Sequence, residues 1–170
     1  MVKFSIMFKG AKAPIRSTPQ SAGVDIYIPE FTKELKTLFN SLNPNPQTMC
    51  FISDDERIIN IHPNGRVKIP TGLRVEFEPD TALIAWDKSG VSWENRVTTS
   101  AGLIDVDYQG QLFITVFNYA NIRTQLMFGQ KVVQLIQVPI LMNEWKEIPD
   151  NEIHVAPTVR GAGGFGSTGV

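Results

Sequence analysis

Two acids two residues apart, Asp105 and Asp107 in the run AGLIDVDYQGQ at 101 to 111, are the first groups in this chain equipped to move a proton. On a strand, residues i and i+2 share a face, but the Asp-Tyr-Gln-Gly step is turn chemistry, so the two carboxylates are expected to diverge. Either one acid is catalytic and the other forms the turn, or both are turn residues. A second constellation is RGAGGFGSTGV at 160 to 170. Successive glycines let backbone N–H groups converge on an anion without interference from Cβ atoms. A Walker loop needs Lys before its Ser or Thr and a helix after it; here Gly166 precedes Ser167 and three residues follow. Glycine-rich termini are commonly unstructured. Against that, Arg160, Ser167 and Thr168 frame Phe165, and a bidentate cation, two hydroxyls and a flat ring suit the phosphates and base of a nucleotide. Three smaller groups accompany these: Asp25 beside a glycine in SAGVDIY, the cation, hydroxyl and glycine of DKSG at 87 to 90, and Gln134 inside the apolar GQKVVQLIQVPI. Taken alone, a Lys-Ser-Gly step is a turn and a strand Gln is a satisfied core amide.

The elements that must carry these groups are mostly strands. Short apolar runs bounded by turn residues stand at 2–8, 50–53, 57–61, 73–77, 82–86, 112–117 and 132–138. Their length, β-branched and aromatic content and Gly, Pro or Asn punctuation predict a mostly β domain, a barrel or two-sheet roll. One segment departs from this. In EFTKELKTLFNSLNPNP, Phe31, Leu35, Leu38, Phe39 and Leu42 fall at helical spacing before Pro44, which predicts an amphipathic helix of about three turns over about 31–42. Its apolar stripe either covers the edge of the sheet, the favoured reading, or docks a protein partner.

A chain of 170 residues suits one domain over 1–170. Sixteen Lys and Arg against seventeen Asp and Glu give a net charge of −1, so the overall balance points to no nucleic-acid or membrane surface. Cys50, the one cysteine, rules out an intrachain disulfide and fits a reducing compartment. No run approaches the roughly 18 apolar residues of a membrane span, and the apolar stretch between Lys3 and Lys9 is shorter than a signal-peptide core. A soluble, cytoplasmic protein is expected.

In order, AGVD, KSG, GLIDVDYQGQ, GQKVVQLIQVP and RGAGGFGSTG resemble the five ordered motifs of the trimeric dUTP diphosphatases, and PTGLRVEF at 70 to 77 resembles the strand before the second motif. The resemblance implies a jelly-roll-like β-barrel subunit with one short inserted helix, assembled as a homotrimer with active sites at subunit boundaries. It implies cleavage of dUTP between the α and β phosphates to dUMP and pyrophosphate, with Mg2+ held by the phosphates and water. Asp105 takes the place of the general base, and Asp25 touches the metal only through water, leaving no direct protein ligand. Lys88, Ser89, Gly90, Gln134, Arg160, Gly166, Ser167 and Thr168 fall to the phosphates. Tyr108 packs on the deoxyribose, where a 2′-hydroxyl would clash. Uracil is read by a backbone hairpin within Val97 to Ile104, with Thr99 where many relatives carry a uracil-contacting Asn and Phe165 as the lid of the base; Leu103, Ile104 and Phe113 are further substrate-binding positions. The C-terminal arm over 160–170 is expected to serve a neighbouring subunit.

Two features depart from the family pattern. Asp87-Lys88 stands where relatives carry Arg, commonly after Pro, and the 29–66 connection is longer than usual, with the helix as an accessory insertion. Two other activities remain open on the sequence. A dCTP deaminase of the same fold needs a catalytic Glu five residues after Gly110, where this chain has Thr115. A nucleotide-gated regulatory protein would use the added helix to dock its partner.

Overall fold

A computed structural model describes residues 1–47, 49–53 and 57–163 of the chain. In chain order its elements are β1 (Lys3–Ile6), β2 (Val24–Tyr27), α1 (Lys33–Leu42), β3 (Cys50–Ile52), β4 (Ile58–Ile61), β5 (Arg66–Pro70), β6 (Leu73–Glu76), β7 (Thr81–Asp87), α2 (Ser89–Asn95), β8 (Val97–Thr99), β9 (Leu103–Ile104), β10 (Phe113–Asn118), β11 (Thr124–Met127) and β12 (Lys131–Pro139). The strands form small antiparallel sheets: β2-β12-β7-β9, β5-β10-β8, β11-β4-β3 and the pair β1-β6. Between them lies one core that includes Ile26, Ile28, Ile59, Ile61, Val67 and Ile69, these six each 1% exposed or less. Burial of each such side chain contributes about 1.5–3 kcal/mol. Alternation fixes the register. In β5, Val67 and Ile69 point inward while Arg66 and Lys68 point out, and a slip of one residue would exchange the two sets.

Every predicted apolar run contains a strand, but β2, β5, β8, β9 and β11 are additional. The reason is visible in β5 and β11: alternating exposed and buried residues leave no continuous apolar run for a sequence reading to catch. A second helix is also additional. Lys-Ser-Gly, expected as a turn, instead opens α2, which buries none of its residues and so shows no apolar stripe; it closes at Arg96 in the left-handed region. The expected hairpin over Val97 to Ile104 does not form. β8 pairs with β10 and β9 with β7, so the chain passes from one sheet to another, helped by Ala101 at φ 54° and by Gly102, where a Cβ would sit 2.6 Å from the Ala85 carbonyl oxygen.

The helix forms where expected. Thr32 caps it by accepting from the Leu35 amide, and the chain leaves at Asn43, one residue before Pro44. Leu35 and Phe39 are buried, and Phe31, just before the cap, packs its ring on Phe39 and Phe128 at 5.3 and 4.4 Å between centroids. The apolar stripe is therefore spent on the protein's own core. The rest of the long connection is no appendage either, since it supplies β3 and β4 with Cys50, Ile59 and Ile61. Its side chains therefore belong to the same core as the rest of the domain. Burial pushes the Cys50 thiol up to about 12, so it stays protonated and serves as a small hydrophobe. Among the described residues, no helix is long and apolar enough to cross a membrane.

Candidate active site

One cluster is built where β2 and β12 run side by side. Their register sets Asp25 opposite Gln134, and a Cβ on Gly23 would meet the Gln134 side chain at 3.0 Å, so the glycine of the first motif lets the strand approach that amide. Asp25 is 3% exposed. Its Oδ1 accepts from Lys88 Nζ at 2.6 Å, and its Oδ2 accepts from Ser17 Oγ at 2.6 Å and from Lys131 Nζ at 2.8 Å. Ser17 and Lys131 were missed in the sequence, although Lys131 stands in the quoted GQKVVQ run, because only the fold brings three distant segments to one carboxylate. Gln134 Nε2 donates to the Asp87 carbonyl at 2.9 Å and anchors the second motif to β12. Lys88, Ser89, Gly90 and Gln134 line a cavity of about 400 Å³, with Glu94 at its rim.

Burial pushes the Asp25 carboxyl up, but hydrogen bonds from Lys131, Lys88 and Ser17 outweigh it and hold the group at about 2, below its ordinary 3.8. A depressed folded-state pKa adds stability that is complete above about pH 4 and lost as pH falls toward 2. Unfolding midpoints measured across that range should therefore drop for the parent protein. The deficit of Asp25→Asn, large at pH 7 because two lysines lose their partner, should close over the same window.

Asp87, whose charge next to Lys88 would repel a polyphosphate, turns away from this cavity. It accepts from Thr98 Oγ1 at 2.9 Å, from the Thr99 amide at 2.5 Å and from the Thr99 hydroxyl. Thr99 is thereby committed to Asp87 and lines a depression with Trp86, Gly102 and Leu103, the last of which also borders the cavity of Asp105.

The second cluster surrounds Asp105, which follows β9. The Tyr108 amide donates to the Asp105 carbonyl at 3.1 Å, closing a turn with Val106 and Asp107 at its centre, two residues before the Asp107–Gly110 step read as a turn from the sequence. Tyr108 is fixed at both ends: its hydroxyl donates to the Gln111 carbonyl at 2.7 Å, and its ring lies so close to Gly110 that a Cβ there would stand 2.4 Å from the phenolic oxygen. Asp105, Tyr108, Leu103, Ile104 and Phe113 share a cavity of about 220 Å³ with Lys68, which sequence reasoning did not single out. This is smaller than the about 300–1,000 Å³ of a closed small-molecule site.

The fold thus gathers the sequence-predicted residues into two sets in different cavities. Arg160 joins neither; it is exposed and donates from Nε to the Gly163 carbonyl at 3.0 Å. Phe165, Gly166, Ser167 and Thr168 lie outside the described residues. In chemical terms, one set offers cations and hydroxyls to an anion, and the other offers a carboxylate and an aromatic ring beside apolar walls.

Comparison with known proteins gives these sets a family. The dUTPase family model matches residues 53–169. A deoxyuridine 5′-triphosphate nucleotidohydrolase of Yarrowia lipolytica is 30% identical over 169 residues, covering 99% of this chain and 89% of its own. The Arabidopsis thaliana enzyme of that name is 36% identical over 106 residues, and there the match spans 61% of the relative's length. Among solved structures, the dUTPase of Staphylococcus bacteriophage 80alpha with dUpNHpp superposes with a TM-score of 0.74 at 21% identity, over 100% of this chain and 99% of that one. A D95N mutant dUTPase from S. aureus phage phi11, solved with a structural Mg(II) ion, reaches 0.66 at 19% identity over 88% and 97%. The order of the five motifs, the β architecture and these matches agree, and the chain belongs to the dUTPase family.

Proposed function

We propose that this protein is a cytoplasmic dUTP diphosphatase that releases dUMP and pyrophosphate. The observation that carries the proposal is the Asp105 cavity, where a carboxylate stands beside a fixed tyrosine ring and apolar walls in a chain that belongs to the family. Asp105 orients a water for in-line attack on the α-phosphorus and takes its proton; the bond from that phosphorus to the bridging oxygen breaks, and pyrophosphate leaves with the electron pair. Lys88, Ser89, Gly90 and Gln134 bind the phosphates, with Arg160, Gly166, Ser167 and Thr168 of the arm closing over them. Tyr108 packs on the deoxyribose, Leu103, Ile104 and Phe113 border the uracil, and Phe165 covers it.

Both Asp25 oxygens are already engaged by two ammonium groups and a hydroxyl, which fits Mg2+ carried by the substrate and reached through water better than a metal ligated by the protein. When bound, the ion neutralises charge on the phosphates. In this chain Asp25 holds Lys88 toward them. Because the two residue sets line separate cavities, each too small or too open to enclose a nucleotide, we infer that sites are completed between subunits of a homotrimer.

Thr115 argues against the deaminase activity. It lines the same cavity as Asp105, so the place where a carboxylate would shuttle protons to an exocyclic amine holds a hydroxyl instead. The decisive experiment is pyrophosphate release from a panel of nucleoside triphosphates with and without Mg2+. Release from dUTP, with little from dCTP, dTTP or UTP, is expected; equal rates with dCTP would defeat the uracil assignment. In the same panel Tyr108→Ala should narrow the gap between dUTP and UTP, and an unchanged gap would move the sugar filter elsewhere.

A further inference from the structure

We propose that Asp87 is a positioning residue for the hydrolysis, its carboxylate fixing the chain crossing that delivers Asp105 to the site. This rests on the function proposed above and concerns a residue at which the second motif departs from the family pattern. Asp105 directly follows β9, a strand of two residues whose ladder is with β7 alone, Leu83 opposite Ile104 and Ile84 opposite Leu103. So short a strand has few bonds with which to hold its own place. Upstream, β8 belongs to a different sheet: it pairs with β10, and the Ser100 amide still donates to the Thr115 carbonyl at 2.8 Å. The chain must therefore cross between sheets within 100–102. There Ala101 takes φ 54°, a left-handed conformation that a residue with a side chain keeps only where its surroundings impose it.

Asp87 supplies that hold from the end of β7. Because the Ser100 amide faces β10, the Thr99 amide one residue earlier faces the other edge of β8, which has no strand partner among the described residues. Asp87 Oδ1 accepts from this amide at 2.5 Å and from the Thr99 hydroxyl, while Oδ2 accepts from Thr98 Oγ1 at 2.9 Å. A carboxylate thus stands in for the missing strand, with bonds strengthened by its charge. On the far side of the crossing, the Ala85 amide donates to the Gly102 carbonyl at 2.7 Å, and the β9 ladder follows. One strand, β7, therefore grips the chain before and after it changes sheets, and the Tyr108 amide pins the Asp105 carbonyl just downstream. The phosphate cluster uses Asp87 differently. Gln134 donates to its main-chain carbonyl, and Lys88 is held by Asp25, so neither depends on the Asp87 side chain. The carboxylate serves Asp105 alone. In-line attack tolerates little displacement of the group that orients the water: about 1 Å, caused by a change remote from the chemistry, can cost about 10²-fold in rate.

Steady-state dUTP hydrolysis by Asp87→Ala, Asp87→Asn and Thr98→Val tests this, with folding checked by the unfolding midpoint. Asp87→Ala should lower kcat about 10- to 100-fold while KM stays within about threefold of the parent, a split that general destabilisation does not produce. An asparagine side chain can remake all three bonds, its oxygen accepting from the Thr99 amide and hydroxyl and its amide donating to the Thr98 hydroxyl. Asp87→Asn should therefore return kcat to within about fivefold of the parent, the remainder reflecting the lost charge on those bonds. Thr98→Val removes one bond and leaves the carboxylate in place, so it keeps the test open even where Asp87→Ala fails to fold. Alone it should lower kcat about two- to fivefold, and added to Asp87→Ala it should cost nothing more, because the bond it removes is already absent. An unchanged kcat in Asp87→Ala or in Thr98→Val would overturn the proposal. So would a rise in KM at constant kcat, which would place Asp87 with the phosphates, or an Asp87→Asn variant as slow as Asp87→Ala, which would make charge and not the three bonds the cause. Absence of dUTP hydrolysis in the parent protein would overturn the function itself, a result distinct from these.

Discussion

Asp105→Asn should retain the fold and bind nucleotide while losing turnover by about 10²- to 10⁴-fold, the contribution of a positioned general base. The substitution is nearly isosteric, and the turn that holds the residue uses its main-chain carbonyl, accepting from the Tyr108 amide, so the turn does not depend on the carboxylate. The loss should therefore fall on the chemical step: kcat and kcat/KM drop together, and dUMP binds as it does to the parent. Asp107→Asn is the matched control, since the same turn directs that acid elsewhere, and it should leave turnover within a few-fold. Single-turnover pyrophosphate release with both variants checks this. Near-normal turnover in Asp105→Asn would remove the residue from the mechanism.

Two inactive variants should restore activity to each other when reassembled. After Pro139 no further strand forms among the described residues, and the chain runs on with Leu141 at 87% exposure, Trp145 at 97% and Val155 at 78%. Large apolar side chains so exposed leave the C-terminal segment unpacked on its own subunit. The eleven residues from 160 to 170 span at most about 35 to 40 Å when extended, enough to reach a neighbouring site. In a closed cyclic trimer every subunit can give its arm to the next with none left over. A variant lacking 160–170 keeps Asp105 but lacks the arm; full-length Asp105→Asn keeps the arm but lacks the base. Mixed trimers contain sites with an intact Asp105 and a donated intact arm, so dUTP hydrolysis should reappear after unfolding and refolding the two together. If the arm folds back on its own subunit, no mixed site is complete. Inactive mixtures, with mixed trimers verified by native mass spectrometry, would overturn arm exchange while leaving the role of Asp105 intact.

The helix and its stop before Pro44 were legible from spacing alone, as were the seven apolar strands, because local periodicity acts over a few residues; its Thr32 cap was not singled out. A turn next to Asp105 was legible too, but it closes between Asp105 and Tyr108, two residues earlier than the Asp107–Gly110 step suggested. The five motifs named the family, being runs whose residues are close in sequence, and supplied the residues proposed for its site. Short alternating strands such as β5 and β11 escaped, since each buries only every second residue and takes its stability from partners far along the chain. Helix α2 escaped because nothing in it is buried. Only the tertiary structure set Lys131 and Ser17 on Asp25, turned Asp87 toward Thr99, split Val97 to Ile104 between two sheets, and brought Asn43 to the strand that carries Lys68. These contacts join residues up to 106 positions from Asp25 or 25 from Lys68. A sequence determines which groups are present and what they do with near neighbours; which distant charges share one carboxylate is decided by strand pairing, where core burial, and not the polar groups themselves, selects the register.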